Sequence, residues 1–215
     1  MFPQTFAMRH TSHKTTYHHG DLRSALIAAA ERLLAEKAGE TFTLREVARA
    51  AGVSHTAPYN HFADRRALLA AIAARGFDDL TVALRRDLAA VDAEDVAAGI
   101  RATAKAYVGY AVSYPAHYRL MFSAELVGCE DETFQAAGER AFSVLRELIA
   151  AGVSSGRLQG DQKGTHALTA WSLVHGLGTL VLDGKVPIPA GDEALAALVD
   201  TVASTLIDGL ADRRS

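Results

Sequence analysis

Polar side chains recur on one face of a short segment, residues 54–61. At 100° per residue, four of them fall within about 140° of one another on a helical wheel: His55, Thr56, Tyr59 and Asn60. Ala57 and His61 point the other way. Hydroxyl, amide and imidazole groups donate to and accept from base edges and phosphates, whereas an ordinary surface helix carries charged solubilising residues on its outer face. The pattern therefore favours a surface that contacts nucleic acid.

Two short helices are needed to present this face, and the sequence carries signals for both. Thr43 is followed by Glu46 at the spacing of a capping box, which predicts a helix over residues 44–51. Gly52 ends that helix, and Ser54 is placed to cap a third helix that reaches about residue 61. Two capped helices separated by a glycine turn match a helix-turn-helix. Each polar residue alone is typical of a decorated surface, but the spaced set favours DNA binding over a helix pair that merely packs.

Helical periodicity extends over the rest of the chain, and no segment alternates as a strand does. A first helix is predicted over residues 21–38, where apolar residues recur at intervals of three and four positions. Gly39 ends this helix. Further helices are predicted over residues 64–88, 92–114, 116–123, 132–151, 165–182 and 192–210. The sequence thus predicts an all-α protein of about nine helices, in which a long helix joins an N-terminal three-helix head to a C-terminal helical bundle.

Charge is divided unequally along the chain, whose net formal charge is −3. Residues 1–75 hold ten Lys or Arg against six Asp or Glu, whereas residues 76–215 hold twelve against nineteen. Six of the nine histidines also lie in the first part. This asymmetry favours an N-terminal part that binds a polyanion and a C-terminal part that does not.

Composition argues against several other classes of protein. Hydrophobic residues make up 49% and charged residues 22%, as in an ordinary globular protein. The longest apolar stretch, residues 167–182, is shorter than the ~20 residues that span a bilayer. No apolar run follows the basic residues of the first segment, 1–16, so we expect a cytoplasmic protein without a signal peptide. Cys129 is the single cysteine, which excludes an internal disulfide and a cysteine-based zinc cluster. No catalytic or metal-binding set converges, so neither an enzyme nor a cofactor is expected.

The segment 17–69 resembles the TetR (tetracycline-repressor-like) family of bacterial transcription regulators, above all in the pattern AxxAGVSxxxxYxHFxDRxALL. In such proteins the third helix lies in the major groove. The resemblance implies that five residues face DNA: His55, Thr56, Ala57, Tyr59 and Asn60. It also implies that Arg45 reaches a base. Phosphate contacts are implied for three others: Thr43, His61 and Arg65. We include Ser54 in the predicted surface, because a helix N-terminus binds phosphate through its free N–H groups.

Two features depart from the family pattern. Pro58 replaces the commoner leucine-like residue, and because proline has no N–H the third helix is expected to begin irregularly. The third helix also lacks Arg and Lys, so that Arg45 and the two histidines must supply its polarity. We therefore expect modest direct readout of bases, supplemented by recognition of DNA shape.

A second set of residues is a candidate small-molecule site. Aromatic rings and one thioether crowd the end of one predicted helix, the next short one and a later helix: Tyr107, Tyr110, Tyr114, Tyr118, Met121, Phe122 and Phe142. Trp171 and His175 are one turn apart in WSLVHGLG, which resembles the Trp-His-Gly motif of one branch of the family's C-terminal domains. The alternative is structural, because aromatic residues at helical spacing are typical of a core and a histidine on an apolar helix is typical of a satisfied core residue.

The last two predicted helices are candidates for contact between subunits. The last one carries an apolar stripe, and the preceding one carries Gly176 and Gly178, where another helix can approach closely. These features predict a four-helix interface between two identical chains. The alternative is that both helices are buried within one chain.

These observations predict a homodimeric transcription regulator with three parts. Residues 1–16 form a flexible arm, residues 17–64 a helix-turn-helix domain, and residues 65–215 a ligand-binding and dimerisation domain. Its expected partners are a palindromic double-stranded operator and a small apolar effector. We predict a repressor that the effector releases from its operator; an activator of the same fold and a helical protein-interaction module are the alternatives.

Overall fold

The computed structural model describes residues 19–36, 42–186 and 192–211 and has the all-α architecture that the sequence predicts. Eight α-helices lie in these ranges: α1 His19–Glu36, α2 Leu44–Ala50, α3 Arg65–Ala89, α4 Val96–Ser113, α5 Pro115–Met121, α6 Glu132–Ser154, α7 His166–Leu182 and α8 Asp192–Leu210. Two 3-10 turns, Ala57–Asn60 and Ala124–Leu126, accompany them. The predicted arm, residues 1–16, lies outside the described residues. None of the described helices combines the length and hydropathy that crossing a bilayer requires.

α2 and the turn after it form as predicted, because their start and stop signals are local. The Glu46 N–H donates to the Thr43 hydroxyl at 3.2 Å, and the Thr43 N–H donates to the Glu46 carboxylate at 2.7 Å, which completes the capping box. At the other end Gly52 has a φ of 70°, a left-handed conformation that side chains disfavour. The Val53 N–H donates to the Ala48 carbonyl at 3.0 Å, as in a Schellman motif.

α4 begins later than predicted. Its cap is Asp95, whose carboxylate accepts the Ala98 N–H at 2.9 Å, rather than Asp92. The Asp92 carboxylate instead accepts the Glu94 N–H at 2.9 Å within a turn. Both acids carry the same local signal, and the structure uses the one nearer to the first buried residue of the helix, Val96.

α3 is the longest described helix and connects two parts of the molecule. We call α1, α2 and the Ala57–Asn60 turn the head, and α4 to α8 the body. One continuous core runs from Leu26 in α1 through Leu69 and Phe77 in α3 to Val199 in α8. α3 packs against α1 on one side and against α4, α5 and α6 on the others. A displacement of this helix is therefore felt in both the head and the body.

α7 has one face inside the body and one face exposed. A Cβ placed on Gly178 would lie 3.3 Å from the Tyr118 hydroxyl, so this glycine lets α5 approach α7 within the chain, which fits the alternative interpretation of that position. Gly176 has no described neighbour within 4 Å of such a Cβ. Leu173 and Leu180 lie on the same exposed side and are 37% and 46% accessible.

Candidate DNA-binding surface and internal cavity

Residues 54–61 do not form the predicted α-helix but contain a single 3-10 turn, Ala57–Asn60. The hydrogen bonds in this segment join residues three positions apart, as in a 3-10 helix, since the Ala57 N–H donates to the Ser54 carbonyl at 3.0 Å. Pro58 explains the difference, because it has no N–H and disfavours an α conformation in the residue before it. The irregular start expected from Pro58 is confirmed, whereas the prediction of an α-helix that reaches about residue 61 is wrong.

Exposure in this segment follows the predicted face. The four polar residues at its outer side are exposed: His55, Thr56, Tyr59 and Asn60. Ala57 and His61 are half-buried, and Pro58 is fully buried beneath them. Ser54 does not cap the turn as expected, since its hydroxyl lies 3.2 Å from the Thr56 hydroxyl and no side chain caps the turn. The predicted orientation is thus confirmed, while contact with bases stays a prediction.

α2 presents its own polar residues beside this turn. Arg45 is exposed and has no ion-pair partner among the described residues. The Thr43 hydroxyl donates to the Glu46 carboxylate at 2.9 Å. A phosphate contact by that hydroxyl must therefore displace the carboxylate, whereas the Arg45 guanidinium is available as it stands.

Arg65 is engaged within the chain. Its Nε donates to the Phe42 carbonyl at 2.7 Å, and its guanidinium carbon lies 5.3 Å from the centre of the Phe42 ring. A terminal nitrogen of the same group forms an ion pair with Glu125 in the body. The phosphate contact that the resemblance implies for Arg65 stays a prediction, and it requires exchange of the Glu125 carboxylate for a phosphate.

A cavity of about 290 Å³ lies between α3 and the body. Its wall is formed by side chains of α3, α4, α6, α7 and α8 and by Phe122, which follows α5. Four of the nine residues predicted for a small-molecule site line it: Tyr107, Phe122, Phe142 and Trp171. Sequence reasoning missed the α3 residues Phe77, Leu80 and Leu84, because their periodicity is that of an ordinary core stripe.

The other five predicted residues do not line the cavity: Tyr110, Tyr114, Tyr118, Met121 and His175. Met121 and Tyr110 face α3 where it carries Gly76, since a Cβ on this glycine would lie 2.8 Å from the Met121 sulfur and 3.3 Å from the Tyr110 hydroxyl. Tyr114 is 54% exposed at the end of α4. Helical periodicity places all five on aromatic or apolar faces but does not determine which face lies toward the cavity.

A hydrogen-bonded chain leads from the cavity wall to His175. Trp171 Nε1 donates to the Tyr107 hydroxyl at 3.2 Å, and the Tyr107 and Tyr118 hydroxyls lie 2.9 and 2.8 Å from His175 Nδ1. Burial raises the pKa of both tyrosines and lowers the pKa of His175. The imidazole is therefore neutral at pH 7, and its Nδ1 lies within hydrogen-bond distance of both phenol hydroxyls, which gives this histidine a structural role.

Polar atoms at the cavity wall are already satisfied. The Thr103 hydroxyl donates to the Gly99 carbonyl at 3.0 Å, and the Tyr107 hydroxyl is held by Trp171 and His175. No side chain that is ionised at neutral pH lines the cavity among the described residues. Such a wall favours an apolar, uncharged occupant, because a buried charge without a partner is strongly disfavoured.

His175 makes the stability of the fold depend on pH. Because burial lowers its pKa in the folded chain, the unfolded chain binds more protons once the pH falls below the ordinary histidine value of about 6.5. Its contribution is fully present above that pH and is lost as the pH falls toward the lower, folded pKa. We expect His175→Gln, which keeps an acceptor but does not titrate, to reduce the loss of melting temperature between about pH 7.5 and 5.

Thermal melting followed by circular dichroism at several pH values measures this effect. His55→Gln is the matched control, since it removes an exposed imidazole in the head. Equal pH dependence in the wild type and His175→Gln would contradict the assignment of a half-buried neutral imidazole.

Comparisons with known proteins agree with this architecture. The family model described as "Bacterial regulatory proteins, tetR family" matches residues 26–72, which include α2, the Ala57–Asn60 turn and the start of α3. The model described as "Tetracyclin repressor-like, C-terminal domain" matches residues 100–204, which include most of the cavity wall.

Individual proteins are also similar to this chain over most of its length. An uncharacterised HTH-type transcriptional regulator of Mycobacterium tuberculosis is 29% identical over 162 residues, which are 75% of this chain and 71% of that protein. A Rhodococcus sp. RHA1 protein of unknown function is 33% identical, with a TM-score of 0.79 over 93% of this chain and 100% of its own. A regulatory protein of the tetR family from Rhodococcus RHA1 is 23% identical, with a TM-score of 0.67 over 89% and 98%. The chain belongs to the TetR family of bacterial transcription regulators, which bind DNA through their helix-turn-helix head.

Proposed function

We propose that this regulator is a homodimeric repressor that releases its operator when a small apolar molecule occupies the cavity of the body. The observation that carries the proposal is the placement of α3, whose first residue, Arg65, lies against the head while its middle forms part of the cavity wall. Residues 17–64 bind DNA in this proposal, and residues 65–215 bind the effector and the second subunit. The protein acts in the cytoplasm, where its operator lies, and no catalytic step is part of the proposal.

DNA contact is assigned to the exposed polar face of the head. Base contacts come from Arg45 and from the Ala57–Asn60 turn with the two residues before it, and phosphate contacts from Thr43, Ser54, His61 and Arg65. A 3-10 turn without Lys or Arg makes few charge-assisted base contacts, so DNA shape contributes to specificity. Binding then weakens steeply with salt, because phosphate contacts release counterions.

The effector is assigned to the cavity by size and chemistry. About 290 Å³ lies close to the lower limit of ~300 Å³ for small-molecule pockets. Aliphatic and aromatic side chains form most of the wall, and the polar atoms Thr103 Oγ1 and Tyr107 Oη already have partners. A small hydrocarbon or aromatic molecule meets these conditions.

Coupling between the two sites is assigned to α3. Its 25 residues span about 37 Å, so a small tilt caused at Phe77 or Leu80 moves the head by several ångströms. Two heads must meet half-sites roughly 34 to 36 Å apart, and a shift of a few ångströms disturbs that register. A coupling free energy of about 1 to 3 kcal/mol changes operator affinity some 5- to 150-fold.

Dimerisation is assigned to the exposed faces of α7 and α8. Leu173 and Leu180 are large apolar residues at the outer side of α7, and Gly176 between them allows a close approach. Ala197 and Thr201 continue a face of small residues on α8. Two copies of this pair of helices form the four-helix interface that the sequence predicts.

Replacing Leu173 and Leu180 together by glutamate should yield a monomer. Four carboxylates would meet in the proposed interface without partners, and operator affinity should fall by about tenfold or more because two linked heads no longer bind together. Analytical ultracentrifugation measures the change. Val82→Glu is the control, since Val82 is a 67% exposed apolar residue of α3 outside this face. A dimer that survives the double substitution would place the interface elsewhere.

The proposed function is tested by selection of bound fragments from sheared genomic DNA, followed by footprinting and titration with N-phenyl-1-naphthylamine, a neutral apolar fluorophore. We expect two protected half-sites and release of the selected DNA as the fluorophore binds. Protection of a single half-site by a monomer would contradict the dimeric repressor. A reporter gene under the selected site distinguishes repression from activation, since loss of the regulator raises expression in the first case and lowers it in the second.

A further inference from the structure

Two consecutive arginines at the start of α3 hold one short segment of the body. Arg65 pairs with the Glu125 carboxylate. Arg66 donates from Nε to the Glu125 carbonyl at 3.0 Å and from a terminal nitrogen to the Val127 carbonyl at 2.7 Å. Residues 125–127 are therefore attached to the start of α3 by one ion pair to a side chain and by two hydrogen bonds to main-chain carbonyls.

We infer that Glu125 lowers DNA affinity by competing with the DNA backbone for the guanidinium of Arg65. This inference rests on the phosphate role proposed for Arg65. Carboxylate and phosphate bind the same planar set of N–H donors, and Arg65 Nε is already used by the Phe42 carbonyl. The paired edge that remains is formed by the two terminal nitrogens, and Glu125 binds one of them, so a phosphate cannot bind this edge through both nitrogens while the ion pair persists.

Exposure of the ion pair makes this exchange feasible. The side chains of Arg65 and Glu125 are 30% and 48% accessible, so that solvent and DNA reach both partners. An ion pair of this kind changes an equilibrium by a factor of only about 1.5 to 5, which a phosphate contact can overcome. The segment itself stays attached when the carboxylate is lost, because Arg66 binds main-chain oxygens.

The same segment joins this ion pair to the cavity. Phe122, three residues before Glu125, lines the cavity and lies 4.5 Å from the His175 ring, measured between ring centres. Phe122 and Glu125 therefore lie on one short segment between the cavity and Arg65. Glu125 acts in this way as a determinant of DNA affinity that lies outside the DNA-binding surface.

The test is Glu125→Gln, assayed by fluorescence anisotropy on a labelled duplex of random sequence. We expect affinity to rise about 2- to 5-fold per head, because phosphate contacts do not depend on sequence. The same substitution should have no effect in an Arg65→Met background, where the aliphatic stem over Phe42 is retained and the charge is lost. Glu130→Gln is the matched control, since Glu130 is an exposed acid of the following loop. Thermal melting verifies that each variant is folded.

The outcomes distinguish failure of this inference from failure of the phosphate contact proposed for Arg65. An equal rise in the wild-type and Arg65→Met backgrounds, or in Glu130→Gln, would indicate a general effect of charge and overturn the competition. No rise in either background would overturn it as well. If Arg65→Met alone leaves DNA affinity and its salt dependence unchanged, the phosphate role of Arg65 is wrong and the inference falls with it. If Arg65→Met weakens binding while Glu125→Gln changes nothing, only the inference fails.

Discussion

Alanine at Arg45 or at Tyr59 should weaken operator binding about 30-fold or more while the melting temperature stays unchanged. Both side chains are exposed in the free protein, and Tyr59 is 53% exposed, so that their removal eliminates few packing contacts. Each good contact with a base edge is worth about 1 to 3 kcal/mol, and a dimer loses it at both half-sites. Because the Ala57–Asn60 turn offers no basic side chain, Arg45 carries an unusually large share of the charge-assisted contacts.

Gel-shift titration on the selected operator measures these losses, with two matched controls. Tyr114→Ala removes a tyrosine that is equally exposed, at 54%, but lies on the body. Arg85→Ala removes an exposed arginine from the far part of α3. If both head variants bind the operator as tightly as the wild type, this face does not contact DNA.

Ala104→Leu should abolish effector binding, with affinity for an apolar probe reduced at least 100-fold, while the operator is still bound. Ala104 is 4% exposed and lines the cavity from α4. A leucine side chain at this position fills space that the ligand needs, and burial of additional apolar surface in an existing void keeps the fold stable. The expected phenotype is a repressor that no longer responds.

Trp171 provides the measurement, because it is the single tryptophan of the chain and lies in the cavity wall. Its fluorescence should change as N-phenyl-1-naphthylamine binds to the wild type and should stay constant in Ala104→Leu. Ala102→Leu is the control, since it adds the same group to a half-buried position of α4 that does not line the cavity. Unaltered probe binding in Ala104→Leu would show that the effector occupies another site.

Local signals predicted much of the head. The capping box of Thr43 and Glu46 and the left-handed Gly52 fix the two ends of α2, because their hydrogen bonds join residues within five positions of one another. The outward orientation of Tyr59 and Asn60 follows from periodicity. The conformation of residues 54–61 was harder to predict from the sequence. Pro58 indicates an irregular start, but the reduction to one 3-10 turn depends on how the buried proline packs.

The candidate ligand site was predicted only in part, for a reason that lies in the packing of helices. Periodicity identifies aromatic faces, and it names Tyr107 and His175 with equal strength. In the structure the crossing of α4, α6 and α7 turns Tyr107 and Trp171 toward the cavity and leaves His175 behind them as a hydrogen-bond partner of Tyr107. A histidine of this type serves as a ligand contact or as a structural residue according to its neighbours, which the sequence does not place.

What the sequence determined by itself is the set of elements and the chemistry of the head, since caps, turns and helical faces depend on residues a few positions apart. What only the tertiary structure decided is which distant side chains meet. Glu125 reaches Arg65 across 60 positions, and Phe122 joins Trp171 across 49, because the body folds back on α3. Such contacts are set by the angles and distances at which whole helices pack, and these depend on the sum of many small apolar contacts rather than on any local pattern.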